Sequence, residues 1–270
     1  MKPRLLIATI CAAALALPVG ALARDGASGS FQLDATFGAA YTFVGLAGCP
    51  PGTPSTTVEC IRFLGTASIP GLGRVTESYT KSFDGTICPD QVTSFKTAVF
   101  EVAGKGTIEV SMQSWPACAD PAATTPTGVT SLLEGTIDHG TGRFAGASGN
   151  LKLTNHVNPP SSPLSGSASD IWTGTLVVPG MEFDLTPPVL TGATSKLVKV
   201  RKKAKFARVR YAVKAQDGVD GAIPVKCKPA SGSRFKVGRR KVSCVAEDTS
   251  ANVATTQFTV TVRRKGGGSQ

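Results

Sequence analysis

The residues best suited to chemistry in this 270-residue chain are its seven cysteines. Cys11 lies in an apolar N-terminal run, and the other six are Cys49, Cys60, Cys88, Cys118, Cys227 and Cys244. An even number of cysteines is typical of disulfides in an exported protein. Cys227 and Cys244 lie far from the other four along the chain, so we predict that they pair with each other. Among those four the local pairs Cys49–Cys60 and Cys88–Cys118 are favoured, and other pairings stay open.

Histidine chemistry has little support in the sequence, because His139 and His156 are the only two histidines. A zinc site needs three or four ligands, and the cysteines are assigned to disulfides. A Ser–His–Asp hydrolase would need a serine on a nucleophile elbow, and no such sequence is present. We therefore predict no catalytic residues, no metal site and no cofactor.

Four carboxylates near the C-terminus allow a calcium alternative, since hard cations bind carboxylate oxygens supplied by loops. They are Asp217, Asp220, Glu247 and Asp248. We favour a simpler interpretation, in which Asp217 and Asp248 close turns through their own side chains.

The N-terminus has the three parts of a secretory signal peptide. Basic residues 1–4 precede an apolar run over 5–17, and Ala21-Leu22-Ala23 is a cleavage site of small residues. We predict a signal peptide over residues 1–23. No later segment is long and apolar enough to span a bilayer, so we predict a secreted, extracellular protein, with association to the cell surface as a further option.

The chain divides into two parts of opposite charge. Residues 24–185 carry 8 basic and 14 acidic side chains, a net charge of −6, whereas 186–270 carry 19 and 4, a net charge of +15. Asp184-Leu-Thr-Pro-Pro188 marks the change, because paired prolines do not join a central strand. We predict a first domain over 24–183, a second over 184–263 and a flexible tail over 264–270.

Both domains are predicted to be all-β. Short β-branched runs separated by Gly, Pro, Asn and Asp recur along the chain, with no convincing amphipathic helix. In the second domain Ala207, Val209 and Tyr211 alternate with basic residues, as in a half-buried strand. In the first domain we predict about eight strands, which closure into a barrel would leave without exposed edges.

The second domain resembles a hyalin-repeat (HYR) domain over about 80 residues. The matching landmarks, in order, are 184–188, 215–217 with 220–221, 225–229, 231–233, 235–238, 242–244, 246–248, Asn252 and 258–262. The resemblance implies an immunoglobulin-like sandwich, a Cys227–Cys244 bridge and an association with extracellular adhesion.

One departure from the HYR pattern makes this domain unusually basic. Lys236 and Arg239-Arg240-Lys241 replace a proline and uncharged residues, and we predict that they form a cationic hairpin around a Gly238 turn. The predicted polyanion-binding residues are Lys202, Lys203, Lys205, Arg208, Arg210, Arg239, Arg240 and Lys241. We do not expect nucleic acid as the partner, because no aromatic residue is interleaved with these charges.

The segment Gly140–Gly149 resembles the Gly-Thr-Gly-X-Phe-X-Gly-Ala-X-Gly segment of allene oxide cyclase-like and dirigent-like barrels. This resemblance implies an eight-stranded barrel with a central cavity and no particular chemistry. Its glycines beside Arg143 do not form a phosphate-binding loop, because no Lys-Ser/Thr pair follows; tight turns and a buried Phe144 are expected.

The leading hypothesis is a non-enzymatic secreted binding or adhesion protein. Its basic HYR domain would contact an anionic cell-surface polymer or an extracellular protein. The alternative is a barrel-type enzyme or isomerase-like guide for a small apolar ligand, with the HYR domain as an accessory module. A buried acid with a shifted pKa would favour this alternative, and a barrel filled by apolar side chains would argue against it. A third option is charge pairing between the two domains or between copies of the chain.

Overall fold

The computed structural model describes residues 29–53, 55, 57–84, 91–94, 97–113 and 130–265. The strands are β1 (Ser30–Phe43), β2 (Thr57–Ile69), β3 (Gly73–Asp84), β4 (Gln91–Ser94), β5 (Thr97–Val102), β6 (Gly106–Gln113), β7 (Thr130–Gly140), β8 (Ser148–Val157), β9 (Ser165–Val177), β10 (Val189–Thr191), β11 (Lys196–Val200), β12 (Phe206–Arg208), β13 (Lys214–Asp217), β14 (Gly221–Ile223), β15 (Val225–Lys228), β16 (Arg234–Lys236), β17 (Gly238–Glu247) and β18 (Val253–Arg264). Short 3-10 helices cover Leu46–Gly48 and Gly142–Phe144. Among these residues, no helix has the length and apolarity needed to cross a bilayer.

The first half of the chain forms a closed antiparallel barrel of eight strands, as predicted. Strand β1 pairs with β2 and β9, β2 pairs with β3, and β5 to β9 complete the ring, while β4 adds to the end of β3. The reason is visible in β1, where buried and exposed residues alternate over almost its whole length. One face of each strand therefore lines the interior, where Phe37, Phe100 and Trp172 pack together.

The second half forms the predicted sandwich. A four-stranded sheet, in the order β11-β18-β17-β15, packs through Val242, Val260 and Val262 against Val209 and Phe235 of the β12–β16 side. A three-stranded sheet, β10-β13-β14, completes this half.

Two of the predicted disulfides are present. Cys49–Cys60 ties the loop after β1 to β2. Cys227–Cys244 joins cross-strand partners of β15 and β17. The Cys88–Cys118 pair, the signal peptide and residues 266–270 of the tail lie outside the described residues.

The two halves meet at one end of the barrel. The Gly71 amide donates to the carbonyl of Ser250 at 2.8 Å, and Lys105 Nζ donates to Ser250 Oγ at 3.2 Å. Arg74 lies 3.6 Å from Glu247. The β2–β3 and β5–β6 turns of the barrel thus contact the β17–β18 loop, and we call this region the junction.

Candidate functional site

The barrel interior has an apolar half and a polar half. The half near the junction is filled by side chains such as Leu72, Val102 and Ile137, which leave a cavity of about 20 Å³. Such a volume holds about one water molecule. The described residues of this half therefore do not enclose the central ligand cavity that the barrel resemblance implied.

The polar half is built by three strands. Along β3 the residues Val75, Glu77, Tyr79 and Lys81 all point inward and are buried, because strand side chains alternate between faces. Opposite them lie three further buried side chains: Asn155 on β8, and Asp170 and Trp172 on β9. Gly65 on β2 makes room for this cluster, since a Cβ there would lie 2.3 Å from Glu77 Oε1.

These side chains form one hydrogen-bonded network. Tyr79 Oη donates to Asp170 Oδ2 at 2.6 Å, and Lys81 Nζ donates to Asn155 Oδ1 at 2.5 Å. The Asn155 amide donates to Asp170 and to Tyr79 Oη. Trp172 Nε1 donates to Glu77 Oε2 at 2.5 Å, whereas Glu77 Oε1 is buried without a hydrogen-bond partner.

Burial changes the charges of this network. Burial, together with the neighbouring Asp170, raises the pKa of Glu77 from 4.5 to about 10. Burial also lowers the pKa of Lys81 from 10.5 to about 7, against the opposing attraction of Asp170 and Glu77. Near neutral pH Glu77 is therefore protonated, and the Lys81 amine is present in both its charged and its neutral form.

A neutral amine in a desolvated site can act as a base or a nucleophile, and a protonated carboxyl can act as an acid. Aromatic rings flank the amine, with Lys81 Nζ 5.1 Å from the centre of the Phe63 ring and 5.8 Å from that of Tyr79. This cluster was not predicted from the sequence, because Glu77 and Lys81 interrupt the apolar alternation of β3. The available signal was the period-2 series Val75, Glu77, Tyr79, Lys81 between β-forming Thr and Ser residues.

Both histidines lie within strands of the barrel. His139 lies within β7 opposite Glu109, and His156 lies within β8 opposite Thr130. Phe144 is fully buried in the turn after β7, as expected.

All eight predicted polyanion-binding residues are exposed, and most of them gather at the end of the second domain that lies away from the junction. Three contacts define this end. The Val237 amide donates to Lys205 O, the Lys265 amide to Val200 O, and Arg264 Nε to Ala204 O. We call the cations gathered there the basic pole: Arg201, Lys202, Lys203, Lys205, Lys236, Arg239, Arg240, Arg263, Arg264 and Lys265.

The remaining three predicted residues extend away from the basic pole. Arg208 and Arg210 continue along the edge after β12, and Lys241 follows along β17 opposite Thr259. The predicted hairpin around Gly238 is wrong. Strand β16 pairs with β12, whereas β17 begins at Gly238 and pairs with β15 and β18, so the chain changes sheets there.

The acidic residues of the second domain lie at its opposite end. Residues 186–270 contain four acidic side chains, Asp217, Asp220, Glu247 and Asp248. Glu247 faces Arg74 of the barrel, and the carboxylates of the other three cluster with that of Asp184. Since β17 carries Arg239 near its first residue and Glu247 at its last, the basic pole and the junction lie about 26 Å apart along this strand.

Comparison with known proteins identifies one part of the chain. No curated protein and no solved structure matches the chain significantly. The family model of the HYR domain matches residues 183–262. An HYR domain suggests a module of the extracellular adhesion type, and two described disulfides are consistent with an extracellular protein. The C-terminal part of this chain is therefore an HYR domain, joined to an eight-stranded barrel.

Proposed function

We propose that the chain is an extracellular binding protein whose HYR domain contacts an anionic polymer through its basic pole. The observation that carries this proposal is the separation of charge within the domain. Ten exposed cations lie at one end, and every acidic side chain lies at the junction. An anionic partner at the basic pole therefore meets no opposing carboxylate of this domain.

The contact is expected to depend strongly on salt. Exposed charges attract a polyanion over about one Debye length, roughly 8 Å at physiological ionic strength. Each neutralised anionic group releases counterions, so added salt weakens the complex. A contact based on apolar burial would respond much less.

The test measures binding of residues 24–270, the chain without the predicted signal peptide, to immobilised polyglutamate over a salt series. The charge-reversal variant R239E/R240E is compared with K214E/K226E, which changes the net charge equally at exposed positions outside the basic pole. We expect at least tenfold weaker binding for R239E/R240E and a smaller loss for K214E/K226E. Equal losses would show that only net charge matters and would contradict a contact at the basic pole.

A second candidate function rests on the polar half of the barrel. Here a small apolar carbonyl compound would react with Lys81, whose lowered pKa leaves much of the amine unprotonated near pH 7. The amine adds to the carbonyl carbon and water leaves, which gives an imine.

The test of this second function incubates the protein with benzaldehyde and cyanoborohydride, which reduces an imine to a stable amine. Peptide mass spectrometry then locates the adduct, and K81M is the control. Fast modification of Lys81 relative to exposed lysines would support the barrel as a reactive site. Modification of exposed lysines alone would contradict it.

A further inference from the structure

Four carboxylates converge at the junction. The side chains of Asp184, Asp217, Asp220 and Asp248 each offer an oxygen, and these oxygens lie within 4.8 Å of one another. They come from three separate segments: the linker before β10, the β13–β14 turn and the β17–β18 loop. Like charges this close repel one another, so the fold needs something to balance them.

Two oxygens of this cluster are buried and unpartnered. Asp217 is 5% exposed, and its Oδ1 accepts from the amides of Val219 at 2.7 Å and Asp220 at 2.9 Å, while its Oδ2 has no hydrogen-bond partner. Asp184 repeats the pattern, with Oδ1 accepting from the Thr186 amide at 3.0 Å and Oδ2 buried and unpartnered. A buried carboxylate oxygen without a partner is costly, which points to a missing ligand.

Turn formation explains only part of this arrangement. The prediction that Asp217 and Asp248 close turns is confirmed. Asp248 Oδ1 accepts from the amides of Ser250 and Asn252, and its Oδ2 accepts from Asn252 Nδ2. These bonds leave the free oxygens of Asp217 and Asp184 unexplained.

The Lys105 side chain interacts electrostatically with three of the carboxylates, but its own hydrogen bonds go elsewhere. The hydrogen bonds of Lys105 Nζ go to Leu72 O at 2.8 Å and to Ser250 Oγ at 3.2 Å. Burial lowers the pKa of Lys105, although three of the carboxylates oppose that effect. Lys105 thus brings one positive charge to a cluster of four carboxylates.

We propose that these four carboxylates bind one calcium ion, which fixes the HYR domain to the barrel. Calcium takes six to eight oxygen ligands in flexible geometry, and carboxylates on separate loops supply them. Magnesium demands a strict octahedron and rarely uses a site built from protein ligands alone. The loop that supplies Asp248 also carries Ser250, which bonds to the barrel turns, so an ion here orders the junction.

The experiment is calcium titration of the full chain after removal of divalent ions, by calorimetry and by thermal unfolding. We expect one ion per chain with a Kd of about 0.1–1 mM, as in extracellular calcium modules, and a calcium-dependent rise in Tm. In D217N the new amide keeps an oxygen for the Val219 and Asp220 amides but cannot supply a second oxygen. We expect this variant to lose at least tenfold in calcium affinity and most of the Tm rise.

The matched control is D34N, the same change at an exposed carboxylate on β1, which should bind calcium like the unmodified chain. If D217N does not fold, D184N replaces it, because the oxygen of the new side-chain amide can still accept from the Thr186 backbone amide. The proposal is overturned by no saturable binding up to about 10 mM calcium, by unchanged binding in both variants, or by equal affinity for magnesium.

Discussion

The barrel and the HYR domain treat charged side chains in opposite ways. The barrel places Glu77, Lys81 and Asp170 in its interior, where each is at most 1% exposed. The HYR domain displays its cations at the surface and has buried carboxylates only at the junction, among the residues described. Burial changes the protonation of Glu77 and Lys81, whereas exposure leaves the HYR cations free to attract a partner. The same residue types therefore affect stability in one domain and association in the other.

The largest effect should follow from breaking the barrel network at its centre. Asp170 accepts hydrogen bonds from Tyr79 and Asn155, so D170A leaves buried donors without an acceptor. We expect a loss of about 3–5 kcal/mol in the free energy of unfolding. Denaturant unfolding followed by tryptophan fluorescence measures it, and D34A on the outer face of β1 is the control. A loss below about 1 kcal/mol would show that the network does not support the barrel.

The E77Q variant should be more stable than the unmodified chain near neutral pH. Glu77 is protonated in the fold up to about pH 10 but ionises near 4.5 when unfolded, so its contribution to stability is lost as pH rises between these values. At pH 7 this loss amounts to about 3 kcal/mol in the free energy of unfolding. Glutamine resembles the protonated acid and does not ionise, so E77Q avoids the loss. The difference between the two proteins should vanish near pH 4.

Lys81 makes the pH profile of E77Q diagnostic. Its lowered pKa means that stability falls as pH decreases from about 10.5 to 7. In the unmodified chain this trend opposes that of Glu77 between pH 7 and 10, and the profile should be nearly flat there. In E77Q the stability should rise with pH over the same window. Parallel profiles for the two proteins would contradict the assigned pKa of Glu77.

Removal of an exposed charge at the junction should matter much less. Arg74 is 72% exposed in its pair with Glu247, so we expect R74A to cost below about 1 kcal/mol. Addition of salt should reduce that difference, because exposed pairs are screened. A cost comparable with that of D170A would contradict the view that exposed charges contribute much less to stability than the buried barrel network.

The smallest effect on stability is expected at the basic pole. Arg239 and Arg240 are exposed, so R239A/R240A should change the free energy of unfolding by no more than about 0.5 kcal/mol. Polyglutamate binding by this variant should nonetheless fall. A stabilised variant would indicate that repulsion among these cations strains the fold.

Strands with clean alternation were predictable from the sequence. Residues 31–37 alternate between apolar and polar side chains and form part of β1, and Phe258, Val260 and Val262 do the same in β18. Strand β3 lacks this signal, because Glu77 and Lys81 occupy inward positions. Polar residues that face the barrel interior give a strand no apolar–polar alternation. Glu77 is buried because the other strands close around it.

Contacts between distant segments could not be predicted from the sequence pattern either. Gly238 was predicted to form a turn, but its positive φ of 128° occurs at the start of β17, where the chain changes sheets. Asp184 was used to mark a boundary, and its position beside Asp217 and Asp248 depends on the packing of three loops. The acidic residues of the HYR domain were visible in the sequence, whereas their shared location was not.

The separation of the basic pole from the acidic junction along β17 would set the orientation of the protein on an anionic surface. A domain with cations at one end and carboxylates at the other has a large electric dipole, which would align as it approaches an anionic layer. The barrel would then stand about 26 Å above that layer, several screening lengths away in physiological salt. Its own net negative charge would hardly be repelled, and the barrel would be held facing the medium.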